Sequence, residues 1–181
     1  MNSEHELLER ARRFDRAALG AIYDQYSPAL YRYAARLLGN ADAAEECVAE
    51  VFSRFLHALK NGGGPREHLQ AYLYRIAHNW ITDQWRRAPP LTLSLRAEVS
   101  VETSSAPDDA LGQRWEHARV RAALARLTPE QRQVIVLKFV EELDNAEIAA
   151  ALNKPIGAIK SLQHRALAAL RRALVTPEDV E

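Results

Sequence analysis

With 181 residues, 24 basic and 24 acidic side chains and a formal net charge of zero, the chain has room for one large domain or two small ones. It lacks the basic excess expected of a protein that holds DNA tightly unaided. Its single cysteine, Cys47, excludes an internal disulfide framework and a cysteine-rich metal site, as befits a reducing compartment. No apolar run reaches membrane-spanning length, and the acidic stretch 1–9 lacks the basic and apolar regions of a signal peptide, so a cytoplasmic protein without membrane insertion is expected.

Within residues 14–38, Leu19, Ile22, Tyr23, Tyr26, Leu30, Tyr31, Ala34, Leu37 and Leu38 recur at helical spacing and stop at Gly39. The pattern is one amphipathic helix, or two joined near Pro28. Asp42 with Glu45 reads as a capping box for the next helix, which buries Val48, Val51, Phe52, Phe55 and Leu59 and turns Glu46, Ala49, Glu50 and Ser53 outward. Asn61, Gly62, Gly63, Gly64 and Pro65 then form a loop. A third helix over 68–87 has Leu69, Leu73, Ile76, Ala77, Trp80 and Ile81 as its apolar positions and ends at Arg86, Arg87 and Pro89. It also offers Tyr72, Tyr74, Arg75, His78, Asn79, Asp83, Trp85 and Arg86, a mixture suited either to stacking on bases and holding phosphates or to ordinary packing.

The segment 89–112, with its prolines, Ser, Thr and excess of acids, reads as a linker between two domains, 1–88 and 113–176. Beyond it, 115–126 is helical, and Thr128, Pro129 and Gln131 supply an N-cap, a first-turn proline and a capping-box partner for a helix with Val134, Ile135, Leu137 and Phe139 as its core. Strand-like alternation is missing throughout, so the expected fold is all-α, in two small helical domains.

Residues 144–172 read as a helix-turn-helix. Asp144 and Glu147 form a capping box, Ile148, Ala149 and Leu152 give a short apolar face, Asn153 suits a left-handed turn, and Pro155 restarts a helix. On that helix Ile159, Leu162, Ala166 and Leu170 make the buried stripe and leave Lys160, Ser161, His164 and Arg165 free to reach a groove. Lys154, Lys160, Arg165, Arg171 and Arg172 meet no acid between 148 and 177, which is either a phosphate-binding footprint or a solvated basic face.

Taken together, the strings Ala43-Ala44-Glu45-Glu46-Cys47-Val48-Ala49-Glu50-Val51-Phe52 and Tyr72-Leu73-Tyr74-Arg75-Ile76-Ala77-His78-Asn79 resemble region 2 of the bacterial sigma-70 superfamily. Leu127-Thr128-Pro129-Glu130-Gln131-Arg132, Glu147-Ile148-Ala149 and Ile156-Gly157-Ala158-Ile159-Lys160-Ser161 resemble its region 4. Their order across two domains, with no third between, is similar to the short extracytoplasmic-function (ECF) group of RNA polymerase sigma factors.

The resemblance implies a subunit that binds core RNA polymerase, recognises the −35 and −10 elements of promoter DNA, assists melting and starts transcription. Glu46, Ala49, Glu50, Ser53 and Leu56 would dock on the clamp helices of the largest polymerase subunit. Tyr72, Asn79, Trp80, Asp83, Arg86 and Arg87 would lie along the −10 element, and the glycine-rich loop 60–68 would help capture an unstacked base. Lys160, Ser161, His164 and Arg165 would enter the major groove at the −35 element, where base edges carry a readable code. Core binding would make good the missing net positive charge. An anti-sigma factor is a further partner the resemblance suggests.

This chain departs from the family pattern at several points. Ala49 stands where Gln is frequent, Ala158 where Thr is common, and Leu162-Gln163 replaces a more basic pair, so an atypical −35 preference is expected. The triple glycine makes the base-capturing loop more flexible than usual. Extended, a linker of about 25 residues spans roughly 80 Å, compatible with a folded-back pair of domains or a dumbbell. Its Glu98, Glu102, Asp108 and Asp109 suit a cationic polymerase channel or plain solvent.

The alternative within DNA binding is a stand-alone helix-turn-helix regulator, which would need self-sufficient affinity, usually through a dimer. An enzyme is not expected. His5, His57, His68, His78, His117 and His164 never pair at metal-ligand spacing on one helix, and no phosphate-binding glycine motif precedes a helix, so neither metal nor cofactor is anticipated.

Overall fold

A computed structural model of the chain describes residues 3–87, 119–120 and 122–174, and all regular structure among them is helical. In chain order the helices are α1 (Ser3–Arg12), α2 (Arg16–Leu38), α3 (Ala41–Lys60), α4 (Leu69–Arg87), a short helical stretch at 122–125, α5 (Pro129–Phe139), α6 (Asn145–Leu152) and α7 (Ile156–Leu174). The acidic segment expected to link the halves lies outside the described residues.

Helix α1 has no counterpart in the sequence expectations. Glu4 and Glu6 in its first turn and Arg10 and Arg12 in its last complement the helix dipole, and Leu8 and Ala11 are fully buried. Asp15 then caps α2 by accepting the amides of Ala17 and Ala18 at 2.9 and 3.3 Å, held there by Arg10 at 2.8 Å. The second helix runs as a single element through Pro28 and closes at Gly39, whose left-handed φ of 65° lets its amide reach the Ala35 carbonyl.

The start of α3 differs from expectation. Asn40, not Asp42, is the cap: its extended backbone follows the left-handed Gly39 and its side chain accepts the Ala43 amide at 3.1 Å. Asp42 falls within the first turn, where its charge still favours the dipole.

Both halves share one continuous core. Tyr33, Phe55, Leu73 and Tyr74 from the first pack with Val134, Leu137, Leu143, Ile148 and Leu152 from the second, while Leu127, Ile135 and Ala166 form a smaller cluster with Leu124 and Leu170. Helix α4 lies against α6, and α2 against α5. The two halves are therefore folded back on one another. This explains why α5 buries five consecutive residues, Gln133 to Leu137: it is sandwiched between α7 on one side and α2 and α6 on the other. Phe139, expected in the core, is 57 % exposed because α5 ends as it leaves that sandwich.

Candidate nucleic-acid interface

The reading helix is positioned by the short helix before it. Asp144 and Glu147 exchange two bonds of 2.8 Å in a full capping box, and Asn153, at φ 52° and ψ 47°, ends α6 in the left-handed turn. Pro155 restarts the chain, its carbonyl accepting the amides of Ala158 and Ile159. Ile159, Leu162 and Ala166 are buried under α7, with Leu170 only half-buried.

On the outer side, Lys160, Ser161, His164 and Arg165 are all exposed and together line a single open depression of about 550 Å³. The Ser161 hydroxyl donates to the Gly157 carbonyl at 3.0 Å, and Arg165 Nε donates to the Ser161 carbonyl at 3.3 Å. With its proton so used, Ser161 presents its oxygen as an acceptor between two cationic side chains.

Leu162 lies in the buried stripe as expected, and two residues that sequence associates with this surface, Gln163 and Lys154, have other work. Leu162 is 6 % exposed, in the core, and Gln163 donates to Asn145 Oδ1 at 2.7 Å, tying α7 to α6. The departure Leu162-Gln163 thus belongs to the packing of the helix-turn-helix rather than to its reading face. Lys154 pairs with Glu130 at 2.9 Å and is not a free cation of the footprint.

Helix α4 divides its polar residues between two directions. Asn79, Arg86 and Arg87 are exposed, Asp83 is half-buried with Arg86 3.6 Å away, and Trp80 packs partly against the core. Tyr72 is half-buried, its ring 6.3 Å from Phe55 and its face 5.4 Å from the Arg75 guanidinium. Tyr74 faces the other way: it is 1 % exposed, stands edge-on to Tyr33 with centroids 5.2 Å apart, and donates to Glu141 Oε2 at 2.8 Å.

This polar contact sits between the halves. Burial pushes the Glu141 carboxyl above its ordinary range, against the Tyr74 bond and the charges of Arg32 and Arg36. Burial, then the Glu141 charge, raises the Tyr74 phenol. Nearby, burial and Lys154 hold His78 below its ordinary value. The buried Tyr33 hydroxyl and Glu141 Oε1 have no hydrogen-bond partner among the described residues, so the seam is incompletely satisfied.

On α3, Glu46, Ala49, Ser53 and Leu56 are exposed and Glu50 half-exposed, all on one face. Glu50 receives Arg54 Nε at 2.6 Å one turn on. Cys47 is fully buried behind this face, and burial lifts its thiol to about 12. The loop after α3 is tied to α1, whose Arg12 donates to the Gly64 and Pro65 carbonyls and whose Glu4 accepts the Leu69 amide. An apolar groove of about 260 Å³, lined by Val120, Leu124, Ile135, Phe139, Leu167 and Leu170 among others, also went unread in the sequence, where Phe139 was assigned to the core. Among the described residues no group of three or more His, Cys, Asp or Glu could hold a metal ion, and no helix is long and apolar enough to cross a membrane.

Comparison with known proteins gives the family. The model of sigma-70 region 2 matches residues 22–89, and that of sigma-70 region 4 matches 117–170. The ECF RNA polymerase sigma factor SigW of Bacillus subtilis is 31 % identical over 178 residues, covering 92 % of this chain and 94 % of SigW. BldN of Streptomyces coelicolor, of the same description, is 33 % identical over 181 residues, 96 % of this chain but 66 % of BldN, and SigL of Mycobacterium tuberculosis is 31 % identical over 158 residues, 87 % of this chain and 89 % of SigL. In fold, the chain is similar to CnrH in complex with the cytosolic domain of CnrY, with a TM-score of 0.73 at 24 % identity over 96 % of this chain and 97 % of that one. It is also similar to RpoE in complex with the anti-sigma factor NepR from Bartonella quintana, with a TM-score of 0.64 at 24 % identity over 86 % and 95 %.

Proposed function

The chain belongs to the ECF group of RNA polymerase sigma factors in the sigma-70 family, and from that premise we propose how its surfaces divide promoter recognition. Sigma factors are non-enzymatic initiation factors that work with core RNA polymerase on promoter DNA, and we assign this chain no catalysis and a cytoplasmic place of work.

Lys160, Ser161, His164 and Arg165 read the −35 element. The observation that carries this is their convergence on one exposed depression of a helix that buries Ile159, Leu162 and Ala166 on its opposite side. Two cations flanking an acceptor and an imidazole suit a major groove, where each good bidentate contact discriminates by about 1–3 kcal/mol. Arg171 and Arg172, exposed in the last turn of α7, serve the phosphates.

Asn79, Arg86 and Arg87 meet the −10 region with Tyr72, Trp80 and Asp83 beside them, and loop 60–68 receives an unstacked base. The exposed α3 face of Glu46, Ala49, Glu50, Ser53 and Leu56 docks on the polymerase clamp helices, with its acids toward cations. Nothing observed favours a stand-alone regulator.

In the folded-back arrangement α6 rests on α4, and α7, 19 residues or roughly 28 Å long, follows directly from α6. Promoter elements about two helical turns apart are separated by roughly 70 Å. The chain therefore cannot read both while closed, and polymerase binding separates the halves. An anti-sigma factor that favours the closed arrangement would silence it, a role supported by the complexes in which similar folds occur.

Footprinting tests this division. Core polymerase with the chain should protect both elements of a cognate promoter, and the chain alone should protect neither. Strong protection by the chain alone would contradict the proposal.

A further inference from the structure

We propose that Arg12, on α1, is the positioning residue that sets base selection by the glycine-rich loop, and that α1 acts as a brace for that loop. The inference rests on the reading that loop 60–68 takes an unstacked −10 base. It begins from a conflict in the sequence. Three consecutive glycines carry the greatest backbone freedom available, yet a loop that discriminates among bases must hold its own polar groups in fixed places.

The entry side of the loop is fixed by α3. The amides of Asn61, Gly62 and Gly63 donate to the carbonyls of His57, Leu59 and Ala58 at 3.2, 3.0 and 2.8 Å. Gly62 and Gly64 then turn the chain at φ 73° and 84°. The exit side has no such helix end to fold onto, and α1 supplies its anchors. One terminal nitrogen of Arg12 donates to the carbonyls of both Gly64, at 3.1 Å, and Pro65, at 2.9 Å. Eight residues earlier, Glu4 Oε1 accepts the Leu69 amide at 3.1 Å, satisfying an orphan donor at the start of α4 just after His68, itself at φ 55°.

These contacts decide what the loop can offer. The Gly64 and Pro65 carbonyls are turned inward onto a half-buried guanidinium, while Arg66, Glu67 and His68 remain exposed. Without Arg12, two carbonyls would be released at the point where the glycines give them the widest choice of direction. Arg12 and Glu4 both precede residues 22–89, the part matched to region 2, so the brace comes from outside the matched segment.

The test uses holoenzyme assembled from core polymerase and the full chain. Open-complex lifetimes are measured on a promoter in which the −10 non-template bases are replaced singly by abasic sites, and hydrogen exchange is followed at the amides of 61–69. Wild type should show one strongly sensitive position. Arg12→Ala should lose about tenfold in lifetime on the intact promoter and nothing further at that abasic position, with −35 discrimination and core affinity unchanged and exchange faster at 64–69. Arg12→Lys, which can keep one bond, should fall between. A sensitive position that Arg12→Ala leaves untouched overturns the proposal, as does an equal loss at every −10 position. If wild type has no sensitive position while Arg12→Ala still speeds exchange, the brace exists but base capture does not, and the proposal fails through the reading on which it rests.

Discussion

The phenol of Tyr74 on α4 donates to Glu141 Oε2 at 2.8 Å, across the seam between the two halves of the chain. The bond joins the helix assigned to the −10 element to the turn that leads into the −35 reader. Because Tyr74 is buried, Glu141 is half-buried and its Oε1 has no hydrogen-bond partner among the described residues, the contact is specific without being strongly stabilising.

Tyr74→Phe removes the donor and leaves Glu141 Oε2 without it in a half-buried seam, a cost of about 1 kcal/mol to the closed arrangement. Small-angle scattering of the isolated chain should report a larger radius of gyration for the variant, with helix content unchanged by circular dichroism. An unchanged radius would remove Tyr74 from the closure.

Glu141 and His78 make closure depend on pH in opposite senses. The folded-state value of Glu141 is raised, so the closed chain binds its proton more readily than the open one. The help this gives is present at acid pH and lost as pH rises from the ordinary 4.5 through the raised value. His78 is lowered from 6.5, so its contribution is present above that value and lost as pH falls through the depressed one. Thermal unfolding across pH should show a shallower acid-side fall in His78→Gln, whereas Glu141→Gln should steepen that fall by removing the opposing contribution. Profiles identical to wild type in both variants would show that neither group titrates between the states compared.

Much of the DNA-reading half is legible in sequence because its signals are local. Thr128 with Gln131, Asp144 with Glu147 and the left-handed Asn153 each act within four residues, and the structure has all three. What sequence does not reveal is set by distant contacts. Helix α1 is short and is held by the loop more than fifty residues on, through Arg12. Asn40 and Asp42 are both good caps, and only the left-handed turn at Gly39 chooses between them. Gln163 looks like a reading residue until Asn145 is found beside it, and Lys154 a free cation until Glu130 is. Nothing local announces that α4 packs on α6, so sequence leaves Tyr74 open between stacking on bases and ordinary packing, and its contacts with Tyr33 and Glu141 are of the second kind.

Gln163→Ala should therefore act on stability rather than on recognition. Losing its bond to Asn145 should destabilise the chain by about 1 kcal/mol, while the order of preference among −35 sequences stays as in wild type. A changed order would return Gln163 to the groove.

Lys160→Ala should relax −35 preference in holoenzyme, whereas Arg172→Ala should weaken binding alike on all sequences and reduce the salt slope by about one. Titrations of a −35 panel at several salt concentrations separate the two. A slope change for Lys160→Ala with its preference intact would move that residue to the phosphates.

Glu50→Arg reverses charge on the exposed α3 face and breaks only the surface pair with Arg54, so the fold should survive while holoenzyme assembly is lost. Size-exclusion co-elution with core polymerase would report it, and retained assembly would remove this face from the docking surface.

Promoter choice by the polymerase should depend on this chain, which does not act alone. Run-off transcription from a promoter panel, with core polymerase plus the chain against core polymerase by itself, tests it most directly. The account predicts discrete transcripts from a subset of promoters only when the chain is present, and equal transcripts with and without it on a panel including its own promoter would contradict it.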